Sequence, residues 1–297
     1  MEGRALTPLP PPPRHATTLA DLPAPAKINL FLHVLGRRDD GYHLLQSVFG
    51  LIDWHDRLTL SLRNDGVVAH TQATPGLPAD DLCVRAARAL QQATGCRLGA
   101  HITLHKAVPM QAGLGGGSSD AATCLLGLNR LWQLGLTRAE LQTLAATLGA
   151  DVPFFLFGQS AWVEGVGERL QPISLPAQTL VVVKPPTGVA TAAVFAHPEL
   201  ERATPSATMR DFAAGVTQGL TAFGRNDLQG IAQRLCPDIA HALHWLHDQG
   251  LKGRLSGSGS AVFAPLPVGH ALRKPPATWL VRTTQLVATH PLAEWVD

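Results

Sequence analysis

The stretch Pro109-Met110-Gln111-Ala112-Gly113-Leu114-Gly115-Gly116-Gly117-Ser118-Ser119-Asp120-Ala121-Ala122 decides the reading of this chain. Four of the five residues from Gly113 to Gly117 are glycine. Glycine lets successive backbone N–H groups converge with no Cβ in the way, which makes a nest for an anion. Downstream, Ala121, Leu125, Leu128 and Trp132 fall close to one helical face. That spacing predicts a helix from about Ser118 to Trp132, with Ser118 or Ser119 as its cap. A helix start carries unpaired N–H donors and partial positive charge. A nest followed by a helix start is a phosphate site on physical grounds. The expected phosphate set is Met110, Gln111, Ala112, Gly113, Leu114, Gly115, Gly116, Gly117, Ser118 and Ser119. One of the two serines caps the helix, and the other is left for a phosphate oxygen or a metal ion. Asp120 suits a helix start by dipole logic alone and is given no catalytic role.

Familiar phosphate motifs do not fit. A Walker A loop needs Lys and then Ser or Thr after its last glycine, and here Ser118-Ser119-Asp120 follow. A dinucleotide fingerprint needs glycine where Ser118 stands. The His-Arg-Asp and Asp-Phe-Gly signatures of protein kinases are missing.

Outward from the loop, strand formers fill Lys27 to Leu35, Ser47 to Ile52, Leu58 to Leu62 and His101 to His105. Gly36 to Gly41 is a turn by composition. Asp80 and Asp81 stand where a helix cap belongs, ahead of Val84, Ala87 and Leu90. Thr137 opens another helix with Glu140 as its capping-box partner, and Gly149 is expected to close it in the left-handed conformation. Leu180 to Val183 and Trp279 to Val287 are further strands. Asp227 to Gly250 is helical, broken at Pro237. Helices and strands mix without strict βαβ alternation, so the expected class is α+β. Residues 1–22, with Pro10 to Pro13, form an expected disordered tail.

The chain has 297 residues, 45% hydrophobic and 15% charged, which suits two globular domains and excludes wholesale disorder. Against 24 Lys and Arg stand 22 Asp and Glu, a net charge of +2 that argues against a dedicated nucleic-acid binder. Cys83, Cys96, Cys124 and Cys236 form no Cys-x-x-Cys pair and are expected as reduced thiols. No stretch reaches the length of a membrane span, and prolines 8 and 10–13 interrupt any signal sequence, so a cytoplasmic protein is expected. His241, His244 and His247 are spaced along one helix but lack an accompanying carboxylate pattern, so they are expected as a solvated face. Trp54, Trp132, Trp162 and Trp245 are expected to pack.

The glycine loop resembles the phosphate loop of the GHMP kinase superfamily. Further motifs narrow the resemblance to the 4-diphosphocytidyl-2-C-methyl-D-erythritol kinases. They are Pro25-Ala26-Lys27-Ile28-Asn29-Leu30, Arg38-Asp39-Asp40-Gly41-Tyr42-His43 with Gln46-Ser47-Val48-Phe49, Leu148 to Phe155, and Leu255 to Phe263. They run in family order through most of the chain. Ser258 and Ser260 depart from the commoner threonine and alanine, and the proline-rich stretch before Trp279 implies a truncated helix.

The resemblance implies two α+β lobes, an N-terminal ATP-binding lobe at 23–167 and a C-terminal substrate lobe at 168–297, with the active site in the cleft between them. It implies ATP and Mg²⁺, with no direct protein ligand to the metal except Ser118 or Ser119. It implies a small-molecule substrate carrying a cytidine diphosphate moiety, phosphorylated on its 2-hydroxyl for isoprenoid synthesis, and no nucleic-acid or membrane partner. A monomer or weak homodimer is expected. Read alone, Lys27 is a surface cation, Asp151 beside Gly149 and Pro153 closes a turn, Tyr42 is a packing plug and Phe195 a helix core residue. The resemblance makes Lys27 and Asp151 catalytic. It places Tyr42, His43 and Phe195 around the cytosine, and Asn29 near the reacting hydroxyl.

Overall fold

The computed structural model describes residues 6–13, 15–72 and 80–297. The N-terminal half runs β1 (Thr18–Arg37), β2 (His43–Arg63), β3 (Val68–Gln72), α1 (Leu82–Thr94), β4 (Gly99–His105), α2 (Gly116–Leu131), α3 (Arg138–Ala146), α4 (Val152–Phe157), β5 (Ala161–Gly165) and β6 (Arg169–Pro172). The rest runs β7 (Thr179–Lys184), α5 (Thr191–Ala196), α6 (Met209–Val216), α7 (Gln229–Leu235), α8 (Pro237–His247), β8 (Arg254–Leu255), β9 (Val262–Pro265) and β10 (Leu280–Val287). The class is α+β, as expected.

The long hairpin β1–β2 is the spine. β1 lies antiparallel along one edge of β2, while β4, β10 and β5 share the other edge. The β1–β2 register shifts between Pro25 and Lys27, so Pro25 sits beside an irregularity where a ladder donor is dispensable. The second sheet region, β10-β7-β9-β8, joins the first through Leu286↔Ile52 and Val287↔Leu51. One core lies between α1–α4 and the β1–β2–β4 layer, and a second lies under α7 and α8. A third apolar cluster, with Phe31, Trp54, Trp162, Phe212 and Phe263, fills the seam between them. Trp132 is buried in the first core, and Trp245 packs beside Trp279.

Several expectations need correction. The expected tail ends earlier than residue 22: β1 begins at Thr18, Leu19 and Leu22 are buried, and Leu9 N–H donates to Pro291 O at 2.8 Å. A composition-based boundary missed this because the partners of the segment, Leu58 to Ser61 of β2 and Pro291, lie far from it in the chain. The C-terminal residues Leu292, Trp295 and Val296 pack into the first core, so the C-terminal lobe does not simply run to residue 297. The two strands expected at Ser47 to Ile52 and Leu58 to Leu62 are one. The polar Asp53-Trp54-His55-Asp56 interruption pairs within the sheet, and Asp56 is buried because it accepts from Ala107 N and Val108 N. Helix α3 has its Thr137–Glu140 capping box but ends at Ala146, capped by Thr147 in right-handed geometry; Gly149 is not left-handed. No helix lies between Pro265 and Leu280. The exposed His241, His244 and His247 line α8, and no metal-holding cluster of His, Cys, Asp or Glu occurs among the described residues.

Candidate active site

Two cavities meet at the glycine loop. One, of about 680 Å³, is lined by Lys27, Asn29, Tyr42, His43, Asp151 and Phe195, together with Gly113, Gly115 and Ser118. The other, of about 470 Å³, is lined by every residue from Pro109 to Ser118 and by the start of α1. Gly113, Gly115 and Ser118 belong to both.

The loop is built from its own residues. Helix α2 starts inside the glycine run, with Gly115 as its cap at φ 70° and no side-chain cap bond. Neither Ser118 nor Ser119 caps it, which corrects that expectation: the left-handed glycine turns the chain by itself. The first N–H groups of a 16-residue helix are therefore left for a ligand. The opposite wall is the turn Ser256 to Ser260. Ala261 N–H donates to Ala112 O at 3.0 Å and Ser260 N–H to Gln111 O at 3.2 Å. Ser258 and Ser260, the departures from the family pattern, bond Thr191 Oγ1 (2.6 Å) and Thr187 O (2.8 Å). Ser118 lines both cavities, whereas Ser119 lines neither, and its buried hydroxyl has no hydrogen-bond partner. Ser119 therefore does not line the space that the other nine expected residues line.

Asp120 lies beyond the first turn of α2, and its expected dipole role is replaced by a buried ion pair to Lys106 at 2.6 Å. Lys106 also pairs with Asp56. Burial pulls the Lys106 ammonium down, but the Asp120 and Asp56 carboxylates outweigh it and hold it above its ordinary value. Burial pushes the Asp120 carboxyl well above the usual range, with Lys106 opposing. Lys106 and Asp120 line the second cavity, and this cluster was not read from sequence. The separations among residues 56, 106 and 120 carry no local signal.

Lys27 is buried to 3% exposure in mid-β1, and its N–H donates to Leu114 O at 2.9 Å. Its Nζ donates to Asn29 Oδ1 at 2.5 Å and lies 3.5 Å from Asp151 Oδ2 and 4.6 Å from the centre of the Phe49 ring. Asn29 Nδ2 in turn donates to Ser47 Oγ at 3.1 Å. Alternate residues of one strand thus put both Lys27 and Asn29 into the cleft. Asp151 occupies the cap position of α4 but makes no side-chain cap bond, so its carboxylate faces Lys27 rather than closing a turn. Pro153 in the first turn of α4 fixes that approach.

At the tip of the hairpin, Tyr42 is 62% exposed and not a packing plug. The His43 ring lies 5.0 Å from the Phe195 ring at 35°. Burial, then Arg202 and Arg37, hold the His43 imidazole below its ordinary value. Arg202, which contacts His43, also escaped the sequence reading.

Residues 81–159 match the GHMP kinases N-terminal domain and residues 209–273 the GHMP kinases C-terminal domain. The chain is 56% identical over 282 residues to 4-diphosphocytidyl-2-C-methyl-D-erythritol kinase of Acidovorax sp. (strain JS42), covering 94% of this chain and 98% of that one. It is 54% identical over 289 residues to the kinase of that name from Polaromonas naphthalenivorans (strain CJ2), covering 95% and 97%. A crystal structure of 4-(cytidine 5'-diphospho)-2C-methyl-D-erythritol kinase superposes with a TM-score of 0.76 at 37% identity, covering 90% of this chain and 98% of that one. With the loop, the cleft and these likenesses in agreement from end to end, the chain belongs to the 4-diphosphocytidyl-2-C-methyl-D-erythritol kinase family of GHMP kinases.

Proposed function

We propose that the protein transfers the γ-phosphoryl group of ATP to the 2-hydroxyl of 4-diphosphocytidyl-2-C-methyl-D-erythritol, a step in isoprenoid precursor synthesis. The observation that carries this reading is the Lys27–Asp151 pair, 3.5 Å apart, in the cavity that shares Gly113, Gly115 and Ser118 with the nucleotide cavity. The loop N–H groups and the start of α2 take the phosphates. The acceptor enters from the other side, so the reacting atoms meet at the shared residues.

Phosphoryl transfer needs mainly positioning and charge stabilisation. The Lys27 ammonium, held by Asn29 in a dry wall, faces the charge that develops on the transferring group. The Asp151 carboxylate orients the acceptor hydroxyl and takes its proton as the P–O bond forms. Tyr42 and Phe195 flank the cytosine, and His43 bonds its edge. Mg²⁺ is the fitting counter-ion for the triphosphate. Ser118 would be the hydroxyl of the chain that holds it, with phosphate and water supplying the other oxygens, and the ion would supply charge neutralisation. Free thiols at Cys83, Cys96, Cys124 and Cys236 support a cytoplasmic setting.

The test is ADP release from ATP and Mg²⁺ with and without the cytidine substrate, beside the Asp151→Asn variant. Wild type is expected to release ADP only with substrate. The variant is expected to lose about 10²- to 10⁴-fold in kcat with the KM for ATP nearly intact. No release above the substrate-free background removes the substrate assignment, and near-normal turnover of the variant removes Asp151 as base.

A further inference from the structure

Arg202 is the residue that ties the two aromatic sides of the proposed base pocket together. It lies between α5 and α6, far in sequence from the hairpin tip. Its Nε–H donates to His43 Nε2 at 3.2 Å. Its other nitrogens donate to Phe195 O at 3.0 Å, His197 O at 2.8 Å and Leu200 O at 3.0 Å. The guanidinium is therefore anchored on three carbonyls of the Phe195 segment before it reaches His43.

The chemistry of the contact is one-directional. A guanidinium has donors and no acceptor, and it does not lose its proton in a protein. His43 Nε2 must therefore offer its lone pair. In a neutral imidazole the single proton then sits on Nδ1. No described residue hydrogen-bonds Nδ1, and the ring lines the cleft beside Phe195. The charged groups facing the ring are Arg202 and Arg37, both cations, and burial acts in the same direction by disfavouring the imidazolium.

We infer that Arg202 is a positioning residue that locks His43 as the Nδ1–H tautomer, so that the pocket presents one fixed donor and selects a base with an unprotonated ring nitrogen. The inference rests on the cytidine reading of the cleft. Cytosine offers an acceptor at N3, whereas uracil carries N3–H and would face donor to donor. A histidine free to switch tautomer or to rotate could serve either base; a histidine pinned by a donor-only partner cannot. Rejection of the wrong base follows because two opposed donors would be left buried and unpaired.

Two measurements test this separately. The first is the ¹H–¹⁵N two-bond correlation of His43 in ¹⁵N-histidine-labelled wild-type protein, which reads the tautomer directly and needs no variant. Protonation at Nδ1 is expected, with titration below the ordinary value of 6.5. Protonation at Nε2, or an even mixture, overturns the role of Arg202. The second is calorimetric affinity for CDP and UDP in wild type and Arg202→Gln, with ATP as control. Wild type is expected to prefer CDP. The variant is expected to lose about tenfold of that preference with ATP affinity unchanged, and its His43 titration is expected to move up. An unchanged preference in the variant, or an equal loss for CDP, UDP and ATP, overturns the specificity role. Wild type binding CDP no better than UDP while His43 carries its proton on Nδ1 overturns the cytidine reading and the inference that rests on it. A clear CDP preference with Nε2 protonated overturns only the part assigned to Arg202.

Discussion

Single glycines in the loop have different reasons to be glycine. At Gly113 φ is +72°, and a Cβ would come within 2.0 Å of Ser256 O, a backbone atom that cannot swing away. The close approach of the loop to the Ser256 turn therefore depends on hydrogen at that position. At Gly117 the nearest atom to a Cβ is Leu82 Cδ1 at 3.6 Å, an ordinary contact on a helical residue. Gly113→Ala is expected to lower the melting temperature and weaken ATP binding, because strain at a left-handed site adds to the clash. Gly117→Ala is expected to hold or raise the melting temperature of the ligand-free protein, by up to about 1 kcal/mol of helix propensity. Thermal unfolding of both variants without ATP reads this; equal losses would show that the loop conformation is not set by these contacts. Gly113 was legible in the sequence as part of a glycine run. That it and not Gly117 is obligatory came from an atom 143 residues away in the chain.

Helix α1 is the element whose start walls the second cavity at the glycine loop. Asp81 caps it, accepting from Cys83 N at 2.9 Å and Val84 N at 3.0 Å. Asp81→Ala is expected to cost about 1 kcal/mol, read as a shift in the denaturation midpoint without a change in slope. A change below a few tenths of a kcal/mol would show that the packing of Cys83, Ala87 and Leu90 alone holds the helix end. Caps of this kind were legible in the sequence, as was the Thr137 box, because a cap is a bond between near neighbours. The end of α3 was not. Gly149 has the residue type of a left-handed stop, but the chain leaves the helix at Thr147 to bring Asp151 toward Lys27. That choice is tertiary.

At the scale of the whole molecule, the chain closes on itself through His290 and the residues after it. His290 Nδ1 accepts from Leu292 N–H at 3.1 Å, and Nε2 lies 3.4 Å from Thr123 Oγ1 on α2. Burial, helped by Arg138, lowers its pKa from 6.5 to about 3. Between those values the unfolded chain holds a proton that the folded one does not. Stability therefore falls as pH drops from 6.5 toward 3, by an amount on the order of 3 kcal/mol by about pH 4. Melting temperatures across that range are expected to fall more steeply in wild type than in His290→Asn, which keeps an acceptor near Nδ1 but does not titrate. Parallel curves would assign the acid sensitivity elsewhere. Arg254 is a second tie, donating to Leu30 O, Phe223 O, Thr221 O and Gly224 O across the seam between the two sheet regions. Burial brings its pKa down to about 10, still far above neutrality.

What was legible in the sequence is local. Glycine spacing, caps and alternating strands led to the glycine loop and the α+β class, and motif order led to the family resemblance, which in turn singled out Lys27, Asn29, Tyr42, His43, Asp151 and Phe195. Those signals span a few residues each, and backbone sterics or a near-neighbour hydrogen bond is enough to write them. Folding alone brings residues 27, 113 and 151 to face one space, lets Ser118 and not Ser119 reach it, pairs Lys106 with both Asp56 and Asp120 beside the loop, and sets Arg202 against His43. Those are bonds between residues far apart in the chain. Burial of an ion pair and the aim of a side chain depend on what folding brings alongside, which no local pattern records.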